Sequence, residues 1–220
     1  PVSLRITYEL DQGTEKFWTV GGDAQLRPTD KLEVGAAAVD ERNPYAPFQM
    51  GSVNAGYRFG ANTALVAEFA RTRSEVNTNS INQVGSQGLM DLVGEVEGDA
   101  WRVEFGHDGE KFDARLFAAR TDPAFNNAAS ALYGGRGEYS AELTYRVGPR
   151  LELYVEGLRS EDRNPDGGER DAAGAGARIK ASERLTVDLG LRSIRETVGV
   201  NSTWSSSTGY GNVGGLTGGF

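Results

Sequence analysis

Apolar and polar residues alternate along most of this chain. Tyr139, Ala141, Leu143 and Tyr145 are apolar, while Glu138, Ser140, Glu142, Thr144 and Arg146 between them are polar or charged. After Val147-Gly148-Pro149 the alternation resumes, with Leu151, Leu153 and Val155 set against Glu152, Tyr154 and Glu156. A period of two predicts a β-strand with one apolar face. The same pattern recurs in Val2-Leu4-Ile6-Tyr8, Trp18-Val20-Gly22-Ala24-Leu26, Leu32-Val34-Ala36-Ala38, Val53-Ala55-Tyr57-Phe59 and Leu65-Ala67-Phe69. It continues in Trp101-Val103-Phe105, Phe112-Ala114-Leu116-Ala118, Ala173-Ala175-Ala177-Ile179 and Leu185-Val187-Leu189-Leu191. These sets predict eleven strands over 1–196, with an irregular twelfth in "GYGNVGGLTGGF" inside the Gly/Ser-rich end, 197–220. No long window carries a helical period.

The connections alternate in length. Short ones are 28–30, 61–63, 108–109, 147–149 and 182–184; long ones are 11–15, 40–51, 73–98, 121–136 and 160–171. Short and long in turn describe an antiparallel meander with tight turns at one end. Asp108-Gly109 suits a two-residue hairpin turn, which would set Phe105 against Phe112, Val103 against Ala114 and Trp101 against Leu116. Three-residue turns elsewhere would pair Tyr57 with Ala67, Tyr145 with Leu151, Leu143 with Leu153, and Ile179 with Val187. Apolar then faces apolar throughout. On the other face Arg178 meets Asp188, and Arg102 and Glu104 lie diagonal to Asp113 and Arg115.

The two faces need two solvents. The strands are about ten residues long, where soluble strands average about 5–6 and a tilted membrane strand needs about 9–11. Ala, Gly and Val fill the middles of the apolar faces, whereas a soluble β-sandwich would interdigitate bulkier side chains. Aromatics gather at the strand ends. Tyr57, Phe59, Phe105, Phe112 and Tyr145 lie near the short turns, and Tyr8, Trp18, Phe69, Trp101 and Tyr139 near the long loops. Two aromatic belts around small aliphatics fit the two lipid–water interfaces. The expected architecture is therefore an all-β, up-and-down antiparallel transmembrane β-barrel of 11–12 strands. Residues 1–220 are either one barrel domain or an arc of a larger barrel.

Composition narrows the partners. The chain has 220 residues, no cysteine and a net charge of −8, so disulfides and thiolate metal sites are excluded and nucleic acid is not expected. Charged residues make up 25%, spread along the polar face with both signs mixed.

The hairpins "SVNAGYRFGANTALVAEFARTR", "DAWRVEFGHDGEKFDARLFAAR" and "AELTYRVGPRLELYVEGLRS" resemble those of Gram-negative outer-membrane β-barrel proteins. The resemblance is architectural and covers 1–196. It implies location in the outer membrane, short turns toward the periplasm and long loops outside. Phe220 matches the aromatic C-terminus common in such proteins, although "GNVGGLTGGF" lacks their regular alternation.

Candidate function follows from the polar face. Arg58, Glu68, Arg102, Glu104, Asp113, Arg115, Glu138, Glu142, Arg146, Glu152, Glu156, Arg178, Asp188 and Arg192 would face the lumen. Charged rings of this kind set ion preference in pores. The long segment 74–98 is apolar at Leu89-Met90 and Leu92-Val93, and could fold inward as a constriction with Asp91, Glu95 and Glu97 lining it. The other reading is a segment that prolongs the strands. In the loop "DRNPDGGERD", Asp162, Asn164 and Asp166 have the spacing of the first half of a Ca²⁺ loop, but the closing Glu is replaced by Ala173. Glu169 or Asp171 would have to substitute, and an ordinary polar turn is the alternative. No other cofactor is expected. His107, the single histidine, lies beside a tight turn, and no triad is discernible, so an enzyme is not expected. The leading function is a pore for small polar solutes or ions. Its rival is a structural anchor, or a part of a multiprotein assembly, with a closed lumen.

Overall fold

The computed structural model describes residues 16–44, 46–76, 94–127, 134–164 and 167–199. They form one ten-stranded antiparallel sheet in chain order, β1 (Thr19–Leu26), β2 (Leu32–Glu41), β3 (Phe48–Gly60), β4 (Thr63–Val76), β5 (Gly94–Asp108), β6 (Phe112–Thr121), β7 (Arg136–Gly148), β8 (Leu151–Asp162), β9 (Glu169–Lys180) and β10 (Thr186–Thr197). Among the described residues there is no helix, and β1 and β10 are not paired with each other. The strand expected at 2–8, the irregular twelfth and Phe220 lie outside the described residues.

The alternation assigns faces correctly because side chains leave a strand on alternate sides. Within the strands, every exposed large hydrophobic except Ile194 belongs to the predicted apolar set or continues its parity, among them Val53, Phe69, Trp101, Leu143, Val155 and Leu189. Most of the buried strand residues lie on the polar face, among them Ala70, Thr72, Ser74, Val96, Ala119 and Thr121, while Ala114 is buried on the apolar side. The sheet thus exposes its apolar side over all ten strands. A patch of that extent is far larger than a soluble monomer tolerates in water.

Three hairpin registers differ from the expectation. Ala61-Asn62 and Pro149-Arg150 form two-residue turns, and each is preceded by a bulge, between Arg58 and Gly60 in β3 and between Arg146 and Gly148 in β7. The shorter turn and the extra bulged residue together shift the pairing by two, so Tyr57 meets Leu65 and Tyr145 meets Leu153. At the third hairpin Asp108 pairs with Asp113, and the Gly109 N–H donates to the Phe112 carbonyl at 2.9 Å. The turn is wider than Asp108-Gly109, which sets Phe105 against Leu116 and Trp101 against Arg120. Ile179 does meet Val187. The strands also run further at the long-loop end than expected, so that β4 and β5 pair out to Val76 and Gly94.

One register row passes through Leu26, Val34, Ala55, Ala67, Val103, Ala118, Tyr139, Arg159, Asp171 and Arg195. It starts at the short-turn end of β1 and finishes near the long-loop end of β10. The stagger averages about one residue per strand. With a rise of ~3.3 Å along a strand and ~4.8 Å between strands, this is a tilt of about 35°. Barrels need a tilt of that order to close.

Candidate functional site

The polar face of β7 to β10 carries a connected set of charges. Glu152, Arg178 and Asp188 follow one another across β8, β9 and β10, and Arg178 binds both acids, at 2.8 Å and 3.2 Å. Arg146 adds contacts to Asp113 and, at 3.8 Å, to Glu152. Glycines let the side chains lie along the wall. Glu156 pairs with Gly174, which pairs with Arg192, and Glu156 reaches across that glycine to Arg192 at 2.5 Å. Tyr154 lies over Gly176 and Gly190 in the same way, and its hydroxyl donates to Asp188 at 2.8 Å. A Cβ on Gly176 would overlap the Tyr154 ring. A shallow recess of about 650 Å³ lies against Glu142, Thr144, Glu152, Tyr154, Glu156, Arg178, Asp188 and Arg192. Glu142 is directly opposite Glu156, so acids outnumber bases around this recess.

Further along the sheet, Arg102 binds Glu68 at 3.1 Å and Glu104 at 3.4 Å, with its side chain only 15% exposed. Glu68 is directly opposite Arg102 on β4, whereas the β5–β6 register sets Asp113 against Asp108, away from Arg102. Arg115 reaches Asp108 at 4.0 Å, and Arg136 reaches Glu138 at 3.2 Å. Arg58 keeps the parity of this face, although β3 is bulged beside it.

The described residue pairs place a different segment over the polar face from the one the sequence suggested. After β6 the chain turns back across the sheet at Asp122–Asn127. The Asp122 N–H donates to the Asp99 carbonyl at 2.8 Å, and the Phe125 N–H to the Asp122 carbonyl at 3.0 Å. The Asn126 N–H then donates to the Thr72 hydroxyl on β4 at 3.1 Å. Phe125 is 4% exposed. A side chain at Gly98 would overlap the Phe125 backbone, so this glycine makes room for the crossing segment. Gly135, at φ +78°, closes the connection by donating to the Asp122 carbonyl at 2.9 Å. The signal available in the sequence was an apolar Pro123-Ala124-Phe125 inside a loop.

Glu95 and Glu97 belong to β5, where they bind Arg73 on the outward face, so they prolong the strands there and do not line a constriction. Asp91 lies outside the described residues. Asp162 is buried, and its Oδ1 accepts from the Asn164 backbone N–H at 3.1 Å and from the Asn164 side-chain amide at 2.9 Å. The Asn164 amide also donates to the Gly134 carbonyl at 3.0 Å, which ties this turn to the β6–β7 connection. Asp166 is outside the described residues, and Glu169 and Asp171 face Arg159. His107 Nδ1 is hydrogen-bonded to the Thr63 hydroxyl at 2.7 Å.

No family model matches the chain, and no curated protein matches it. Several solved structures are similar in fold. They include a BenF-like porin from Pseudomonas fluorescens Pf-5 at 9% identity and a TM-score of 0.42, over 89% of this chain and 54% of that one. OpdQ of Pseudomonas aeruginosa is similar at 12% identity and a TM-score of 0.41, over 89% and 58%. The CymD monoaromatic hydrocarbon channel is similar at 11% identity and a TM-score of 0.36, over 89% and 74%. The chain therefore spans little more than half the length of two of these three.

Proposed function

We propose that the protein is an outer-membrane β-barrel, or an arc of one, whose polar face lines a water-filled pore for small polar solutes. The reading rests on the division of the sheet and not on its likeness to any solved structure. Exposed hydrophobic side chains occupy one face along all ten strands, while the opposite face carries the Glu152–Arg178–Asp188 and Glu156–Arg192 pairs. Lipid suits the first face and water the second. The strand tilt of about 35° is the geometry in which such a sheet curls round a lumen.

On this reading the charged wall exchanges contacts with a solute's hydration shell. The surplus of Glu142, Glu152, Glu156 and Asp188 over Arg178 and Arg192 around the recess favours cations. Asp122–Asn127, crossing the polar face near the long-loop mouth, narrows the passage. The test is conductance of the full-length protein in planar bilayers. Discrete channels should appear, and shortening the crossing segment by removing 123–127 should enlarge them. The rival reading, a structural anchor with a closed lumen, predicts a folded protein that conducts nothing in either form.

A further inference from the structure

The outward face changes character at its long-loop end. Beyond Phe69 and Trp101 its positions become Arg71 and Arg73 on β4 and Asp99, Glu97 and Glu95 on β5. The same change brings Asp40 on β2, Arg120 on β6, Arg159 on β8, Asp171 on β9 and Arg195 on β10 to this face. At the short-turn end no outward strand position is Asp, Glu, Lys or Arg among the described residues. The tier is thus a property of one rim alone, directly above the aromatic belt.

Most of its guanidiniums are engaged. Arg71 binds Asp99 through two contacts, at 2.6 Å and 2.8 Å; Arg73 binds Glu95; and Arg159 lies 3.5 Å from Glu169 and 3.6 Å from Glu161. Arg120 differs. It forms no ion pair among the described residues, and it stands in register opposite Trp101, half-buried on the apolar side of the tier. Its other cross-strand neighbour is Gly137, over which the Glu161 side chain lies, and that carboxylate is paired with Arg159 at 3.6 Å. Arg195 also lacks an ion pair among the described residues, but it lies on the open edge strand.

We propose that this rim binds the phosphate headgroups of the surrounding lipid, with Arg120 as the anchor and Trp101 at the acyl–headgroup boundary beside it. The proposal rests on the membrane reading above. A guanidinium presents a planar fork that takes two phosphate oxygens at once. An indole favours the interfacial level where apolar chain gives way to headgroup. A cation on the outward face at that level meets phosphate sooner than any other anion. The acids of the rim are held by Arg42, Arg71, Arg73 and Arg159, which leaves the fork of Arg120 to the lipid.

Trp101 is a built-in reporter. The full-length protein, with its other tryptophans changed to Phe, is reconstituted in phosphatidylcholine carrying brominated phosphatidylcholine or brominated phosphatidic acid. Bromine quenches an indole only on contact. Both lipids should quench Trp101, and phosphatidic acid should do so with a preference of about fivefold, the scale of one basic residue at a charged headgroup layer. R120Q should abolish the preference, and R115Q, on the opposite face of the same strand, should leave it intact. High salt should weaken it in the unaltered protein, which keeps the test decisive if R120Q fails to fold. Equal quenching by the two lipids, or a preference that survives R120Q or high salt, would overturn the proposal while leaving the membrane reading standing. No quenching by either lipid would remove the membrane reading itself.

Discussion

Arg102 and Arg178 both bind two acids on the polar face, yet they are not equivalent. Arg178 has a half-exposed side chain, and pairs in that setting contribute about 0–1 kcal/mol. Arg102 is 15% exposed between Glu68 and Glu104. The acids around the two arginines are about equally covered, so the difference lies in the cation, and losing the covered Arg102 guanidinium with its contacts costs about 1–3 kcal/mol. Urea unfolding in vesicles should therefore show Arg102→Met well below wild type and Arg178→Met close to it; equal losses would mean that coverage does not decide the contribution. The faces make a second contrast. Leu143→Arg, on the outward side, should cost about 2–4 kcal/mol, and Glu142→Arg, its inward neighbour, much less. The face of each residue was legible in the sequence because a period of two leaves only one choice. The partner of each residue was not. Glu68 binds Arg102 because of a register that residue types alone do not determine.

In the strands and turns, the three shifted registers share one cause. Opposing apolar residues remain apolar when a register slips by an even number, since an even slip preserves both faces. Asp108-Gly109 looked like a complete two-residue turn, and Phe105 against Phe112 satisfied the pattern as well as Phe105 against Leu116 does. Only the bulges at β3 and β7 and the wider turn after Asp108 decide the matter. Cysteines at 105 and 116 should crosslink readily, because directly paired Cα atoms lie about 4.5–5.5 Å apart. Cysteines at 105 and 112 should not, being offset by about 13 Å along the strands. Crosslinking at 105 and 112 alone would restore the two-residue turn. The inward segment was also illegible, because its place depends on a gap at Gly98 on the neighbouring strand β5 and on Thr72 one strand beyond. Gly98→Val should expel Phe125 from the polar face, and protease should then cut near Asn126 faster than in wild type. Unchanged cleavage would mean that the glycine does not seat the segment.

The whole sheet is more legible than its parts. Ten long strands in chain order, one face apolar and the other ion-paired, follow from alternation, loop lengths and aromatic placement together. What those signals omit is the stagger, which appears only when the register row from Leu26 to Arg195 is traced. The row is what turns a flat meander into a tilted wall, and it places Glu142 and Glu156 side by side on the polar face of adjacent strands. That pair gives the most direct test of the claim that the polar face lines a conducting lumen. With Glu142 and Glu156 both changed to Lys in the full-length protein, the reversal potential across a planar bilayer under a salt gradient is the quantity to measure. A polar face that lines the conducting lumen gives a cation-preferring wild type and a shift toward anions in the variant. A reversal potential that stays the same in a folded, conducting variant would contradict it, because the charges of this face would then have no contact with the permeating ions.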